Sequence, residues 1–241
     1  MDGFHYYNLF ETKGMEYILT IIFFLTLVPF WLILNRMPKK TKALTGVSRT
    51  LTAAGINMPR GVYHSPNYSW MYLLKSGKAR VGLSELLLKI TGQITVKPLK
   101  SEGEKIVKGE PLLEVSQGKK KIIINSPLSG ILLTFGQKAN HEELLIDPYG
   151  SGWVAEIEPI AWISETSRYF LAEDTNNWAK FEIVRFRDFL IKSLATSEPQ
   201  LHQMALQDGG ELKEHIMQEL SEEIWTDFET NFLPKHENGR I

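Results

Sequence analysis

Few residues of this 241-residue chain could do chemistry, and their types narrow what that chemistry is. Cysteine is absent, which excludes a disulfide, a thiolate metal site, an iron–sulfur ligand set and a dithiol of the chain's own. Redox chemistry would have to arrive on an attached group. The six histidines, His5, His64, His141, His202, His215 and His236, are scattered without the spacing that metal ligation needs, and they read as structural or solvated. There is no phosphate-cradling glycine loop, nucleophile–base pair or metal cluster in the sequence, so catalysis by the chain alone is not expected. Lys119, Lys120 and Lys121 run consecutively after Gly118, between strand-like runs at residues 112–116 and 122–126. Gln117-Gly118-Lys119-Lys120 suits the turn of a β-hairpin. Amines there sit on flexible, solvated stems.

The elements that must position this turn follow from the texture of residues 62–159. Short apolar or alternating runs at 70–74, 93–96, 111–115, 122–125, 130–135 and 153–157 are separated by Ser76-Gly77, Lys108-Gly109, Gln117-Gly118 and Ser129-Gly130. Strands of this length and spacing predict a sandwich or barrel of mainly β structure. One helix is predicted at residues 84–90, where Ser84 can cap and Leu86, Leu87 and Ile90 can pack. Pro148-Tyr149-Gly150-Ser151-Gly152 reads as a tight turn delivering Trp153 toward a core.

Beyond Pro159 the period changes. Phe181, Val184, Phe186, Phe189 and Leu190 predict an amphipathic helix over 177–194, and Leu212, Ile216, Leu220, Ile224, Phe228 and Phe232 predict a second over 212–232. Residues 160–241 carry 15 acids against 8 Lys or Arg. This acidic pair of helices either packs on its own β domain or docks on a partner subunit.

At the other end, residues 17–35 are 19 residues without a formal charge. About 20 mostly apolar residues cross a bilayer's hydrocarbon layer, so a transmembrane helix is expected, with Tyr17 and Trp31 at the interfaces and a kink at Pro29. A cleaved signal peptide would need a charged start, a shorter apolar run and a small-residue cleavage site, none of which is present. A buried core helix would usually show a polar face. Before the span stand Asp2, Glu11 and Glu16 against Lys13; after it come Arg36, Lys39, Lys40, Lys42, Arg49 and Arg60 with no acid. The positive-inside rule then makes the chain single-pass, with its N-terminus outside and its main domain cytoplasmic, in the manner of a bacterial inner-membrane protein. The near-neutral net charge of −1 argues against nucleic acid as a partner.

A series of blocks carries a family likeness: His64 followed by Trp70, Ala79-Arg80-Val81-Gly82-Leu83, Gly92-Gln93-Ile94, Gly103, Lys108-Gly109-Glu110-Pro111, Ser126-Pro127-Leu128-Ser129-Gly130, and Asp147-Pro148-Tyr149-Gly150-Ser151-Gly152-Trp153. In order and spacing they resemble the H protein of the glycine cleavage system and the wider lipoyl/biotinyl carrier fold. The resemblance implies a lipoyl-type β sandwich, a barrelled hybrid, whose chemistry sits on a hairpin lysine eight residues before the proline of the Pro-x-Ser-Gly turn. Counting back from Pro127 gives Lys119 as the lipoate attachment site, with Lys120 and Lys121 as alternatives in the run. The family's Glu-Ser-Val-Lys-Ala stands here as Ser116-Gln117-Gly118-Lys119-Lys120, without the acid three residues before the lysine, and the Met-Lys-Met flanks of biotin carriers are absent.

The expected organisation is a tail at 1–16, a membrane helix at 17–35, a basic linker at 36–61, the H protein-like domain at 62–159 and the acidic helical extension at 160–241. The function implied is a membrane-anchored carrier presenting a lipoyl-lysine to redox or one-carbon enzyme subunits, with a lipoate ligase as a further partner. The alternative is an unmodified lipoyl-fold subunit that helps to assemble a membrane complex.

Overall fold

The computed structural model describes residues 9–35, 50–136, 141–197, 206–207 and 211–233. It divides into two units, residues 1–46 and 47–241.

Among the described residues, the first unit contains one helix, α1 (Leu9–Asn35), with Pro29 inside it. It begins earlier than the uncharged run, so part of the expected tail is helical. Its described apolar side chains, including Ile18, Phe23, Leu25, Phe30 and Trp31, are exposed. Counted over the described residues, no helix is long and apolar enough to cross a membrane. The described side chains of α1 stop at Trp31, whereas its uncharged sequence continues to Asn35. The basic run from Arg36 to Arg49 lies outside the described residues.

Among the described residues, the second unit is built on three antiparallel sheets. Six strands, β1 (Tyr63–His64), β2 (Ser69–Leu73), β3 (Ala79–Leu83), β5 (Lys105–Ile106), β8 (Gly130–Phe135) and β9 (Trp153–Pro159), pair in the order β1-β2-β3-β9-β8-β5. A three-stranded sheet pairs β4 (Thr95–Pro98), β6 (Pro111–Gln117) and β7 (Lys120–Asn125) in the order β4-β6-β7. A short ribbon joins β10 (Leu206–Gln207) to β11 (Glu211–Leu212). The chain passes from the first sheet to the second through α2 (Glu85–Thr91), whose start is set as the sequence predicts: the Ser84 hydroxyl accepts from the Leu87 amide at 3.3 Å. Leu86, Leu87, Leu88 and Ile90 are all buried, because α2 is packed on both sides.

Close packing of glycine against tryptophan fixes the centre of the large sheet. A Cβ on Gly82 of β3 would run into the ring of Trp70 on β2, which is itself buried. The block ending in Trp153 behaves differently from its sequence reading. Trp153 stays half-buried on the outer face with the Arg80 guanidinium 5.0 Å from its ring, while Val154, Ala155 and Ile157 take the core side of β9. A bulge in β9 opposite Val81 and Gly82, with Val154 as the extra residue, sets that phase. Tyr149 enters the core in its place, 5.6 Å from the rings of both His64 and Trp70.

Residues 50–61, read from sequence as linker, belong to the fold. Leu51 and Ile56 are buried, and the Leu51 amide donates to the Leu212 carbonyl at 2.7 Å. After β9 come α4 (Trp162–Thr166) and the long α5 (Glu173–Ser197), with α3 (His141–Ile146) inserted earlier between β8 and β9. The second predicted C-terminal helix is shorter than its periodicity suggested. Residues 212–221 instead form the end of β11 and a 3-10 turn at Ile216–Gln218, entered through His215 at φ 64°, and helix α6 spans only Glu222–Phe232. Leu212, Ile216 and Leu220 are buried without being α-helical, so the four-residue step reported burial and not an α-helix. The extension packs on its own domain: Phe186, Phe189, Phe228 and Phe232 form a cluster against Tyr68, with Phe228 and Phe232 stacked at 4.8 Å.

Candidate functional site at the hairpin tip

The β6–β7 hairpin is held at its base by alternation: Leu113, Val115, Ile122 and Ile124 are buried, with Val115 opposite Ile122. Gln117 pairs with Lys120, so the loop is two residues, Gly118 and Lys119. Gly118 has φ 63° and Lys119 has none of the positive φ values, the pattern of a II′ hairpin turn, which demands glycine first. Ser116 stands where the family has its acid, and the polar brace of the tip comes from the next residue, Gln117. The Gln117 side-chain amide donates to the carbonyls of Gln93 and, at 3.4 Å, Thr91, tying the tip to the end of α2.

The three candidate lysines have different surroundings. Lys119 is exposed in the loop, and its amine makes no hydrogen bond or ion pair among the described residues. Lys121 points to one face of β7 and pairs with Glu114 at 3.2 Å, diagonally across the hairpin. Lys120 points to the other face and is partly buried. Its ammonium donates to the carbonyls of Gln218 at 2.7 Å and Met217 at 3.3 Å, and lies 5.7 Å from the ring of Trp225. β7 is an edge strand, and its outward Ile123 amide donates to the Glu229 carboxylate of α6 at 3.1 Å. Sequence reasoning did not find Met217, Gln218, Trp225 and Glu229, because they stand about a hundred residues from the hairpin they hold.

The remaining blocks are scaffolding. The Ser126 amide donates to the Glu110 carbonyl and the Gly109 amide to the Ser126 carbonyl, which locks the Lys108-Gly109 loop to the proline turn. Glu165 of α4 accepts from the Ser129 amide at 2.8 Å and from the Ser129 hydroxyl. Lys108 donates to the Glu165 carbonyl and lies 4.3 Å from the Tyr169 ring; burial lowers its amine's pKa, opposed by the Glu165 charge. The Asp147 carboxylate accepts from the amides of Gly150 and Ser151, closing the turn that carries Tyr149. His5, His202 and His236 lie outside the described residues, and no group of three or more metal-binding side chains is assembled among those described.

A sandwich of antiparallel sheets with an exposed lysine in a two-residue hairpin loop defines the class of lipoyl-type carrier domains. The family model for the glycine cleavage H-protein matches residues 62–181. The "Glycine cleavage system H protein" of Coprothermobacter proteolyticus is 31% identical over 100 residues, covering 41% of this chain and 79% of that one. The "Probable glycine cleavage system H protein" of Pyrococcus abyssi is 31% identical over 101 residues, covering 41% and 75%. A crystal structure of a glycine cleavage system H protein from Mycobacterium marinum covers 50% of this chain and 98% of its own, at 22% identity and a TM-score of 0.44. The chain belongs to the glycine cleavage H-protein family. Its H-protein-like domain is extended on both sides of the matched residues.

Proposed function

We propose that this protein is a membrane-tethered lipoyl carrier in which Lys119 holds the cofactor. The observation that carries the reading is the placement of Lys119: an exposed amine, in the loop of a buried-base hairpin, eight residues before Pro127 in a family whose members carry lipoate on a lysine. The residues fit the group. An attached arm needs an unencumbered amine to form the amide, a base that does not move, and open space to sweep. Lys119 supplies the first; Gly118, Gln117 and the Val115–Ile122 core supply the second; exposure of the tip supplies the third. Bound lipoate contributes reversible dithiol–disulfide chemistry and group carriage, which the cysteine-free chain lacks. The chain's part is to place the arm where partner redox or one-carbon enzyme subunits can reach it, and to offer a lipoate ligase an amine.

Membrane attachment is supported by the uncharged 19-residue run inside α1, about 28 Å long as a helix. The bases that follow it favour a cytoplasmic domain. Peptide mapping of protein purified from its own host tests the carrier reading. A lipoyl increment is expected on the peptide containing Lys119 and is lost in Lys119→Ala. Unmodified lysines at 119, 120 and 121 would instead favour the assembly subunit, and an increment confined to Lys120 or Lys121 would overturn the assignment to Lys119.

A further inference from the structure

Three adjacent amines give an acylating enzyme three chemically equivalent nucleophiles, and the hairpin sequence alone does not separate them. We propose that the C-terminal segment 212–233 is a selector that withdraws Lys120 from acylation and so confines the modification to the exposed loop lysine. The identity of the acyl group rests on the carrier reading above; the protection of Lys120 does not.

Acylation requires an uncharged amine whose lone pair attacks the acyl carbon of an activated donor, such as a mixed anhydride with a phosphate. The C–N bond forms as the C–O bond to the phosphate breaks, and the amine gives up a proton to solvent. Lys120 would have to leave both carbonyls and the Trp225 face before its nitrogen could reach any such carbon. Those acceptors are not free to follow it. Met217 and Trp225 are fully buried, and the indole N–H of Trp225 donates to the same Met217 carbonyl at 2.8 Å. Gln218 lies so close to Gly92 that a Cβ there would collide with its side chain. The His215 amide donates to the Lys89 carbonyl at 2.6 Å, and Lys89 pairs with Glu214 at 2.8 Å, so the turn is anchored to α2. From the other side, Glu229 holds the Ile123 amide of β7. The selector therefore grips the strand as well as its lysine. Among the described residues, the Lys121 amine is restrained by its ion pair with Glu114, and with Lys121 itself exposed that restraint is weak. Met217, Gln218, Trp225 and Glu229 all lie beyond the residues matched by the family model, so the device belongs to the extension.

The test is brief acylation of the full-length protein in detergent with a small amine-reactive ester, followed by cleavage at acidic residues and peptide mapping. Lys119 should react first, Lys121 next, and Lys120 about tenfold or more slowly than Lys119, since hydrogen bonds from a charged donor are among the stronger ones. Trp225→Ala and, as a milder change, Glu229→Ala should raise the Lys120 rate toward that of Lys119, with circular dichroism confirming that each variant is folded. Protein of the Trp225→Ala variant taken from its host should carry the acyl group on Lys120 as well as Lys119. Equal rates for the three lysines in the parent protein, or a Lys120 lag unchanged in both folded variants, would overturn the selector. Absence of lipoyl from every lysine alongside an intact Lys120 lag would overturn the carrier reading and leave the protection of Lys120 standing.

Discussion

His64 shows how an ionisable side chain is committed to packing. Its ring is buried beside Tyr149 and Trp178, and neither ring nitrogen has a hydrogen-bond partner among the described residues. Burial disfavours the charged imidazolium and lowers the pKa from 6.5 to about 4. The unfolded chain, with the higher pKa, takes up a proton between those values that the folded chain refuses. Stability is therefore full above the unfolded pKa and declines as pH falls from 6.5 toward 4, by about 3 kcal/mol in all. His64→Phe keeps an aromatic ring against Tyr149 and Trp178 and removes the titration. Urea midpoints at pH 7 and pH 4.5 should converge in the variant and stay separated in the parent protein; equal separations in both would show that His64 is not the titrating group. Lys119, Lys120 and Lys121 make the complementary point. Identical in type, they differ by exposure and by what the extension places beside them.

At the scale of elements, Gly82 is where sheet and core meet most tightly. Its hydrogen leaves room for the Trp70 ring across the β2–β3 pair, and a methyl there has to displace that ring or bend β3 away from β9. Gly82→Ala should cost about 1–3 kcal/mol, the range for overpacking a filled core. A denaturant midpoint unchanged within error would mean that the ring can move. Most of the β domain was legible because its signals are local: alternating runs, glycine at turns, and Ser84 capping α2. The hairpin was legible for the same reason. The C-terminal segment was not, since Leu212, Ile216 and Leu220 satisfy a helical period while the left-handed backbone at His215 interrupts it. The short helices α3 and α4 were missed because elements of 6 and 5 residues carry too little periodicity to register. Trp153 was assigned inward because the bulge beside it, with Val154 as the extra residue of β9, resets its phase and leaves no mark in a pattern of strict alternation.

At the scale of the whole molecule, the chain is an H-protein-like domain with two additions in sequence: an apolar helix before it and a bracing extension after it. If α1 anchors the chain, the full-length protein should fractionate with membranes and resist extraction by high salt or alkali. Removing residues 1–37 should release the remainder, and recovery of the full-length chain in the soluble fraction would contradict the tether. Protease added to intact cells should spare residues 39–241 if the basic run holds them inside; cleavage there would reverse the orientation. The carrier claim itself has a test without background, because the chain contains no cysteine and every thiol must come from an attached group. Protein from its own host, reduced and freed of reductant, should titrate with a disulfide reagent as about two thiols per chain, the dithiol of one lipoyl arm, and Lys119→Ala should titrate as none. No thiol in the parent protein, or an equal number in the variant, would contradict it.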